Sequence, residues 1–407
     1  MNLVSSIFLL CELSVSVFIF YLTEKLVYIL IIHMKIDRKS IFKNVRRLVV
    51  KVGTSTLTYP DTRLDLGRIG NLVKDLVQVK ESGKEVVLVT SGAIATGMSK
   101  LGWKKRPDNI PDKQAAAAVG QTHLMRVYEL IFGEYGQLVA QILLTQGDIN
   151  DRKRYINASN TISTLLQCGV IPIVNENDTV AVDEIKVGDN DTLSALLINL
   201  IKADLLIIIS NIDGFYDNAG EVIDVISAIT PEIKAMAGGE GSATSVGGMI
   251  TKLRAAEIVT GAGEVMVIAN GKKPGIISRI LEGEDEGTIF LPKGYKMPSR
   301  KRWIAYSIPC KGTIKVDNGA KTALIKHGRS LLPSGIIEVT GEFEFGDAIR
   351  CVDVDEVEFA RGLTNYGSDE VLQIKGKKTS EIESILGQVY YEEVIHRDNL
   401  VILESQE

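Results

Sequence analysis

Val170-Ile171-Pro172-Ile173-Val174, running straight into Asn175-Glu176-Asn177-Asp178, is the stretch that decides the fold. Its apolar half is short and bounded by polar residues, so it reads as a buried strand. A second polar run follows closely: Lys186-Val187-Gly188-Asp189-Asn190-Asp191-Thr192-Leu193-Ser194-Ala195. Acids and amides gathered at the end of a core strand mark where an α/β protein places its chemistry, outside the carboxyl ends of its sheet. Capping competes with this reading, since Asp189, Asn190 or Asp191 would serve as an N-cap for a helix beginning near Leu193. A cap uses one residue, however, and leaves the rest of the cluster unexplained.

Working outward, residues 48–52, 85–89, 138–144, 205–209 and 265–269 are further apolar runs of strand length. Between them, 66–82, 112–132, 151–167, 193–201 and 253–260 carry apolar residues at helical spacing. Alternation of this kind predicts an α/β fold, a three-layer αβα sandwich on a mostly parallel sheet. The run at 205–209 is apolar throughout, as a strand covered on both faces should be. Residues 287–291 are expected to add an edge strand.

Several strands end in turns suited to anions. Lys51 closes the first strand just before Gly53-Thr54-Ser55, Ser91-Gly92-Ala93 follows the second, and Ser210-Asn211 ends the run at 205–209. Residues 238–248 have the Gly, Ser and Thr content of a mobile loop and lead through Val246-Gly247-Gly248-Met249-Ile250-Thr251-Lys252 into a helix. Glycines before a helix start make a phosphate site. A lysine in a first turn opposes the helix dipole, and a bound phosphate would relieve that misfit. No GxxxxGK[ST] loop occurs in the chain.

Lys, Arg and Pro concentrate at 293–302, and a linker is placed at 293–309. Beyond it the pattern changes to short strands at 312–316, 336–340, 348–352 and 357–362, with one helix at 319–327. The expected organisation is an apolar extension (1–34), an α/β domain (44–292), the linker, and a small β-rich barrel (310–395).

With 407 residues and 46 Lys+Arg against 51 Asp+Glu, the net charge is −5, so nothing global calls for a nucleic-acid or anionic-membrane partner. Cys11, Cys168, Cys310 and Cys351 form no CxxC pair, and the four histidines have no metal-ligand spacing. That fits a reducing compartment and no Cys/His metal site. Residues 3–22 are apolar but for Glu12, long enough to span a bilayer. They lack a basic flank before and a cleavage site after, so they make a poor secretory signal. Glu12 opposes insertion by about 2–3 kcal/mol. Met34 as the true start is the simpler reading; if the segment did insert, the basic residues from Lys35 to Arg47 would hold the remainder on the cytosolic side, and in either case the working domains are expected to face the cytosol.

Five motifs, in order, carry a resemblance: Val50-Lys51-Val52-Gly53-Thr54-Ser55, Val89-Thr90-Ser91-Gly92-Ala93-Ile94, Asn175-Glu176-Asn177-Asp178, Lys186-Val187-Gly188-Asp189-Asn190-Asp191 and Gly247-Gly248-Met249-Ile250-Thr251-Lys252. Together they resemble the glutamate 5-kinase family of the amino acid kinase superfamily, from about Arg47 to the end. Ser330-Leu331-Leu332-Pro333-Ser334-Gly335 and Val339-Thr340-Gly341 resemble its PUA domain. The resemblance implies ATP-dependent phosphorylation of the L-glutamate side-chain carboxylate, the first step of proline biosynthesis. It implies ATP at Lys51, Ser210, Asn211, Val246, Gly247, Gly248, Met249, Ile250, Thr251 and Lys252, and glutamate at Ser91, Asp178 and Asn190. Asp189 and Asp191 would orient the lysines or help hold Mg²⁺. Many relatives have Thr-Asp where this chain has Ser210-Asn211, and Thr where it has Val246. The family also implies a cytoplasmic homo-oligomer (dimer or tetramer), feedback inhibition by proline and hand-over to glutamyl phosphate reductase. Aspartate, acetylglutamate or nucleotide kinases are the near alternatives; the PUA-like tail and the Lys-Val-Gly-Asp-Asn-Asp run favour glutamate. PUA modules often bind RNA, but from residue 297 onward 14 basic residues face 18 acidic ones, which argues against it.

The chemistry agrees. A carboxylate acceptor is already ionised at neutral pH, so no general base is needed. Positioning and charge neutralisation dominate phosphoryl transfer. Lys51 and Lys252 are therefore expected to converge, with Asp178 beside them to take the substrate ammonium.

Overall fold

The computed structural model describes residues 37–180, 189–237, 246–292, 299–306, 308–387 and 391–403. The apolar extension 1–34 lies outside them. Among the described residues no helix is long and apolar enough to cross a membrane.

The chain from Arg47 onward begins with strand β1 (Arg47–Val52), short helix α1 (Thr54–Leu57), α2 (Leu66–Glu81), β2 (Glu85–Val89), α3 (Ala93–Leu101) and α4 (Ile110–Glu134). There follow β3 (Val139–Leu144), α5 (Arg152–Gln167), β4 (Ile171–Glu176), α6 (Asp189–Ile201) and β5 (Leu205–Ser210). A small hairpin, β6 (Phe215–Tyr216) with β7 (Val222–Ile223), precedes β8 (Val225–Ile226), α7 (Val246–Gly261), β9 (Val265–Asn270), α8 (Ile276–Leu281) and β10 (Thr288–Phe290). The large sheet has eight strands in the order β3-β4-β2-β1-β5-β9-β10-β8. From β3 to β9 every pairing is parallel, as expected; β10 runs antiparallel to β9. The expected edge strand at 287–291 is β10, but it is not at the edge, because β8 pairs outside it. Two residues of β8 are too few to give a periodic signal.

Right-handed crossovers fix the layers. The connection β1–α2–β2 moves one way across the sheet; β4–α6–β5 and β5–α7–β9 move the other way. Their helices therefore lie on opposite faces. Alternation along the strands agrees: Val49, Val87, Val174, Ile208 and Ile268 pack with Leu193, Leu197, Ala255 and Val259 of α6 and α7 in one buried cluster. Lys51 has the same parity as Val49 and faces α6 as well.

The first long helix is α2, capped by Asp65, which accepts from the Arg68 amide at 3.1 Å. It stops at Glu81, two residues before Gly83, whose φ of 89° only glycine adopts without strain. Helices α3 and α4 meet backbone to backbone. A Cβ on Gly97 would lie 1.8 Å from the Ala116 carbonyl oxygen, and one on Gly120 1.8 Å from that of Ala93. Since α3 begins just after Ser91, this contact sets where the Ser91 turn sits. The Gly120→Ala protein is expected to lose about 1–3 kcal/mol of stability, the range for overpacked cores. Thermal melting checks this; an unchanged melting temperature would show that the two helices separate freely.

A five-stranded mixed sheet, β12-β11-β13-β14-β15, forms a second core: β11 (Gly312–Val316), β12 (Ile336–Gly341), β13 (Ala348–Val352), β14 (Glu358–Leu363) and β15 (Leu400–Ile402). Ile314, Ile349, Phe359 and Ile374 are fully buried there. The final strand lies beyond the 395 limit read from the sequence and pairs with β14. The stretch placed as a linker holds a helix, α9 (Ser299–Tyr306). Trp303 of α9 stands edge-on to Tyr155 and under the Arg152 guanidinium, both on α5. On the other side Arg361 of β14 donates to the Ala305 carbonyl at 2.7 Å. Tertiary contacts on both sides hold as helix a segment whose charge and proline content suggested otherwise.

Candidate active site

The parallel strands end level with one another. Lys51 is paired in register with Val89 and with Ile208, and Val89 with Val174. The turns after β1, β2, β4 and β5 therefore open on one rim, which is why side chains distant in sequence meet.

Lys51 and Lys252 share one carboxylate. Lys51 Nζ lies 2.7 Å from Asp191 Oδ1, and Lys252 Nζ 3.2 Å from Asp191 Oδ2. Thr251 also donates its hydroxyl to Oδ2 at 2.8 Å. Lys51 is 7% exposed and Asp191 1%, so the cluster is nearly dry. Burial lowers the Lys51 pKa, and repulsion from Lys252 adds to it; Asp191 acts against both. Burial alone would raise the Asp191 carboxyl, but the two ammonium groups outweigh it and hold it below the usual range. Among the described residues, two cations against one anion leave a local excess of positive charge, aimed where a polyanion would dock.

Asn190, the preceding residue, serves a different group. Its amide nitrogen lies 3.0 Å from the Thr90 carbonyl, 2.9 Å from Ser91 Oγ and 3.1 Å from Asn175 Oδ1. Asn175 in turn donates to Gln121 Oε1 at 2.8 Å, and Thr90 Oγ1 meets the Tyr128 hydroxyl at 2.9 Å. These contacts fix which way the Asn190 amide points. Its oxygen is buried and has no hydrogen-bond partner among the described residues. Buried acceptors are rarely left so, and a ligand donor would satisfy this one.

Two readings of local structure change. Helix α6 starts at Asp189, not near Leu193, so Asn190 and Asp191 sit in its first turn and project by helical geometry into two neighbouring sites. Capping is thus not the task of Asp191, whose oxygens face Lys51, Thr251 and Lys252. The Asp189 side chain and residues 181–188, including Lys186-Val187-Gly188, lie outside the described residues. Likewise α7 starts at Val246, so Gly247, Gly248 and Met249 are helical, and Lys252 lies in the second turn. The dipole misfit argued for Lys252 therefore does not hold. Its ammonium is satisfied by the Gly248 carbonyl at 3.1 Å and by Asp191. Met249 packs on the core, while Ile250 is half exposed.

Ser210 ends β5 and hydrogen-bonds the following Asn211 at 3.4 Å; among the described residues no hydrogen bond ties them to the lysine cluster. Asp178 lies two residues past β4, half-buried. Burial raises its pKa to about 6, and the nearby Arg106 pulls it back only in part. Sequence reasoning missed Gln121 and Arg106. Both lie outside the motifs, and Gln121 looks like any polar residue of a long helix.

Residues 46–270 match the amino acid kinase family and residues 312–386 the PUA domain. The chain is 52% identical over 367 residues to a glutamate 5-kinase from Thermoanaerobacter sp. (strain X514), covering 89% of this chain and 99% of that protein. It is 51% identical to one from Moorella thermoacetica (88% and 96% covered) and 50% identical to one from Geobacter sp. (strain M21) (90% and 100% covered).

Proposed function

Because the chain belongs to the glutamate 5-kinase family of amino acid kinases, we propose that it transfers the γ-phosphoryl group of ATP to the side-chain carboxylate of L-glutamate. The products are γ-glutamyl phosphate and ADP, and the step opens proline biosynthesis. One observation carries the assignment of roles: consecutive residues of one helix, Asn190 and Asp191, anchor two different groups, the Ser91–Asn175 amide network and the Lys51–Lys252 pair. The acceptor and the phosphoryl cations are thereby held in fixed relation, which is what an in-line transfer requires.

In this reading the glutamate γ-carboxylate oxygen attacks the γ-phosphorus, the bond to ADP oxygen breaks, and no proton moves. Lys51 and Lys252 neutralise the transferring group. Asp191 orients both and keeps their mutual repulsion from driving them apart. The first residues of α7 offer backbone N–H groups to ATP phosphates, and Ser210 with Asn211 borders the nucleotide. Ser91 donates to the substrate, Asn190 Oδ1 accepts from it, and Asp178 pairs with its α-ammonium. A protein-held Mg²⁺ does not fit the described residues. Asp191 has both oxygens engaged, and no group of three candidate ligands is found among them. Mg²⁺ would arrive on the ATP phosphates. Two modules meeting at α9, a cytosolic location, oligomer formation, proline feedback and hand-over to a reductase belong to the same proposal.

ADP release with glutamate, aspartate, acetylglutamate and UMP in turn tests the acceptor. Glutamate should be faster by a wide margin, and an equal rate with any other overturns the assignment. Asp178 supplies a sharper check. With its pKa raised to about 6, it is anionic at pH 7 to 8 and becomes neutral as pH falls through 6. The KM for glutamate should then rise roughly tenfold per pH unit below 6, following the ionised fraction, with a much smaller change for ATP. In the Asp178→Ala enzyme the glutamate KM should already be high and lose that pH dependence. Equal changes in both KM values would remove Asp178 from the amino-acid site.

A further inference from the structure

Helix α9 is wedged between the two cores. On one side Trp303 stands edge-on to Tyr155 of α5, ring centroids 6.5 Å apart, and α9 also packs against α6. Tyr306, its last residue, packs on the cluster that holds Ala255 and Val259 of α7. On the other side Ile304 and Ala305 are buried with Val401 of β15, and Leu363 of β14 packs on them. Arg361 of β14 donates to the Ala305 carbonyl at 2.7 Å and is itself steadied by Glu358 at 2.6 Å.

The tip of Tyr306 sits directly on the end of α7. Gly261 is the last residue of that helix, and a Cβ there would lie 2.0 Å from the Tyr306 hydroxyl oxygen and 2.6 Å from its Cζ. The φ of Gly261 is not positive, so the backbone does not demand glycine at this position; the phenol does. Close-packed neighbours on both sides leave the ring little room to yield, so it acts as a stop. Lys252 lies on the same helix, about 14 Å along its axis from Gly261. A helix is a rigid element, and a shift imposed at one end is carried along it. Thr251 and Lys252 reach across to Asp191 of α6 at 2.8 and 3.2 Å. These are lengths of contacts already made, so a slide of α7 against α6 stretches them.

We infer that Tyr306 is a positioning residue for the lysine pair: backed by the five-stranded sheet, it stops α7 at Gly261 and so sets the reach of Lys252 to Asp191. The inference rests on the role proposed above for Lys252. It gives the C-terminal module a task at the site without any contact to substrate.

The test uses Gly261→Ala, Tyr306→Ala and the double variant in the whole chain. Gly261→Ala puts a methyl group where the phenol sits. Its kcat should fall about tenfold or more, since a displacement of about 1 Å far from the chemistry can cost that much. The KM for glutamate should stay within about twofold, because Ser91, Asp178 and Asn190 are not on α7. Tyr306→Ala removes the stop and should show the same split with a smaller loss. Adding Tyr306→Ala to Gly261→Ala should restore kcat to the level of Tyr306→Ala alone, because the nearest obstacle to the methyl group is gone. A merely structural defect would deepen with the second truncation. A crystal structure of Gly261→Ala should place Lys252 Nζ farther than 3.2 Å from Asp191 Oδ2. That readout needs no turnover, so a parent that releases no ADP with glutamate would count against the reaction and not against the stop. The inference is overturned if kcat of Gly261→Ala stays within about twofold of the parent. Equal changes in kcat and the glutamate KM, a double variant that loses the product of the two single losses, or an unmoved Lys252 overturn it as well.

Discussion

The Asp191→Ala enzyme is expected to turn over roughly 10²- to 10³-fold more slowly at saturating ATP and glutamate, the cost of losing a preorganised electrostatic group. It should also be the least stable of the single-site variants. In the parent, one carboxylate stands between two ammonium groups at 2.7 and 3.2 Å. Its removal leaves Lys51, only 7% exposed, beside Lys252 with no counter-charge among the described residues. Breaking a buried pair in this way typically costs about 3–5 kcal/mol, because the abandoned charge stays desolvated. The lysines have two escapes: to swing apart, or for Lys51 to lose its proton. Burial and Lys252 already lower the Lys51 pKa, and Asp191 is what opposes them. The alkaline limb of the kcat profile should therefore move to lower pH in Asp191→Ala, since deprotonation now relieves repulsion. Asp191→Asn keeps the shape and loses the charge, so it should share the shifted limb with a smaller loss of stability. Turnover within a few-fold of the parent, with an unmoved limb, would mean the carboxylate orients nothing.

Much of this site is legible in the sequence because strands announce themselves. The runs at Val170–Val174 and 205–209 are apolar and short, and a parallel sheet puts whatever follows them on one rim. Lys51, Ser91 and Asp191 could therefore be grouped before any coordinates. Helix starts were harder to read. Asp189-Asn190-Asp191 and Val246-Gly247-Gly248 are poor helix formers, so periodicity alone begins each helix several residues late. What overrides propensity is tertiary: Asp191 is fixed by two lysines and Thr251, and Asn190 by Ser91 and Asn175. Those partners come from other strands and helices, and no local window contains them. The same holds for α9, whose Trp303 is held by Tyr155 and Arg152, and for the two-residue β8.

Lys252→Ala should lower kcat by roughly 10²-fold or more, with the KM for glutamate nearly unchanged. The argument starts from what the ammonium does in the resting enzyme. It bonds the Gly248 carbonyl at 3.1 Å and one oxygen of Asp191 at 3.2 Å, so it is anchored by its own helix and by the hub. An anchored cation costs little reorganisation when the transferring group develops charge, and that economy is lost on truncation. Unlike Asp191→Ala, the change leaves a neutral pair, Lys51 with Asp191, so stability should fall less. The Lys51 pKa should rise, because Lys252 no longer repels it, and the alkaline limb should move to higher pH, opposite to Asp191→Ala. Lys252→Arg should recover only part of the rate, since a planar guanidinium does not present the same point charge between Gly248 and Asp191. In the Lys51→Ala/Lys252→Ala double variant the loss should be less than the product of the single losses, because the two cations act on one group. Multiplicative losses, or a Lys252→Ala enzyme within a few-fold of the parent, would separate Lys252 from the phosphoryl group.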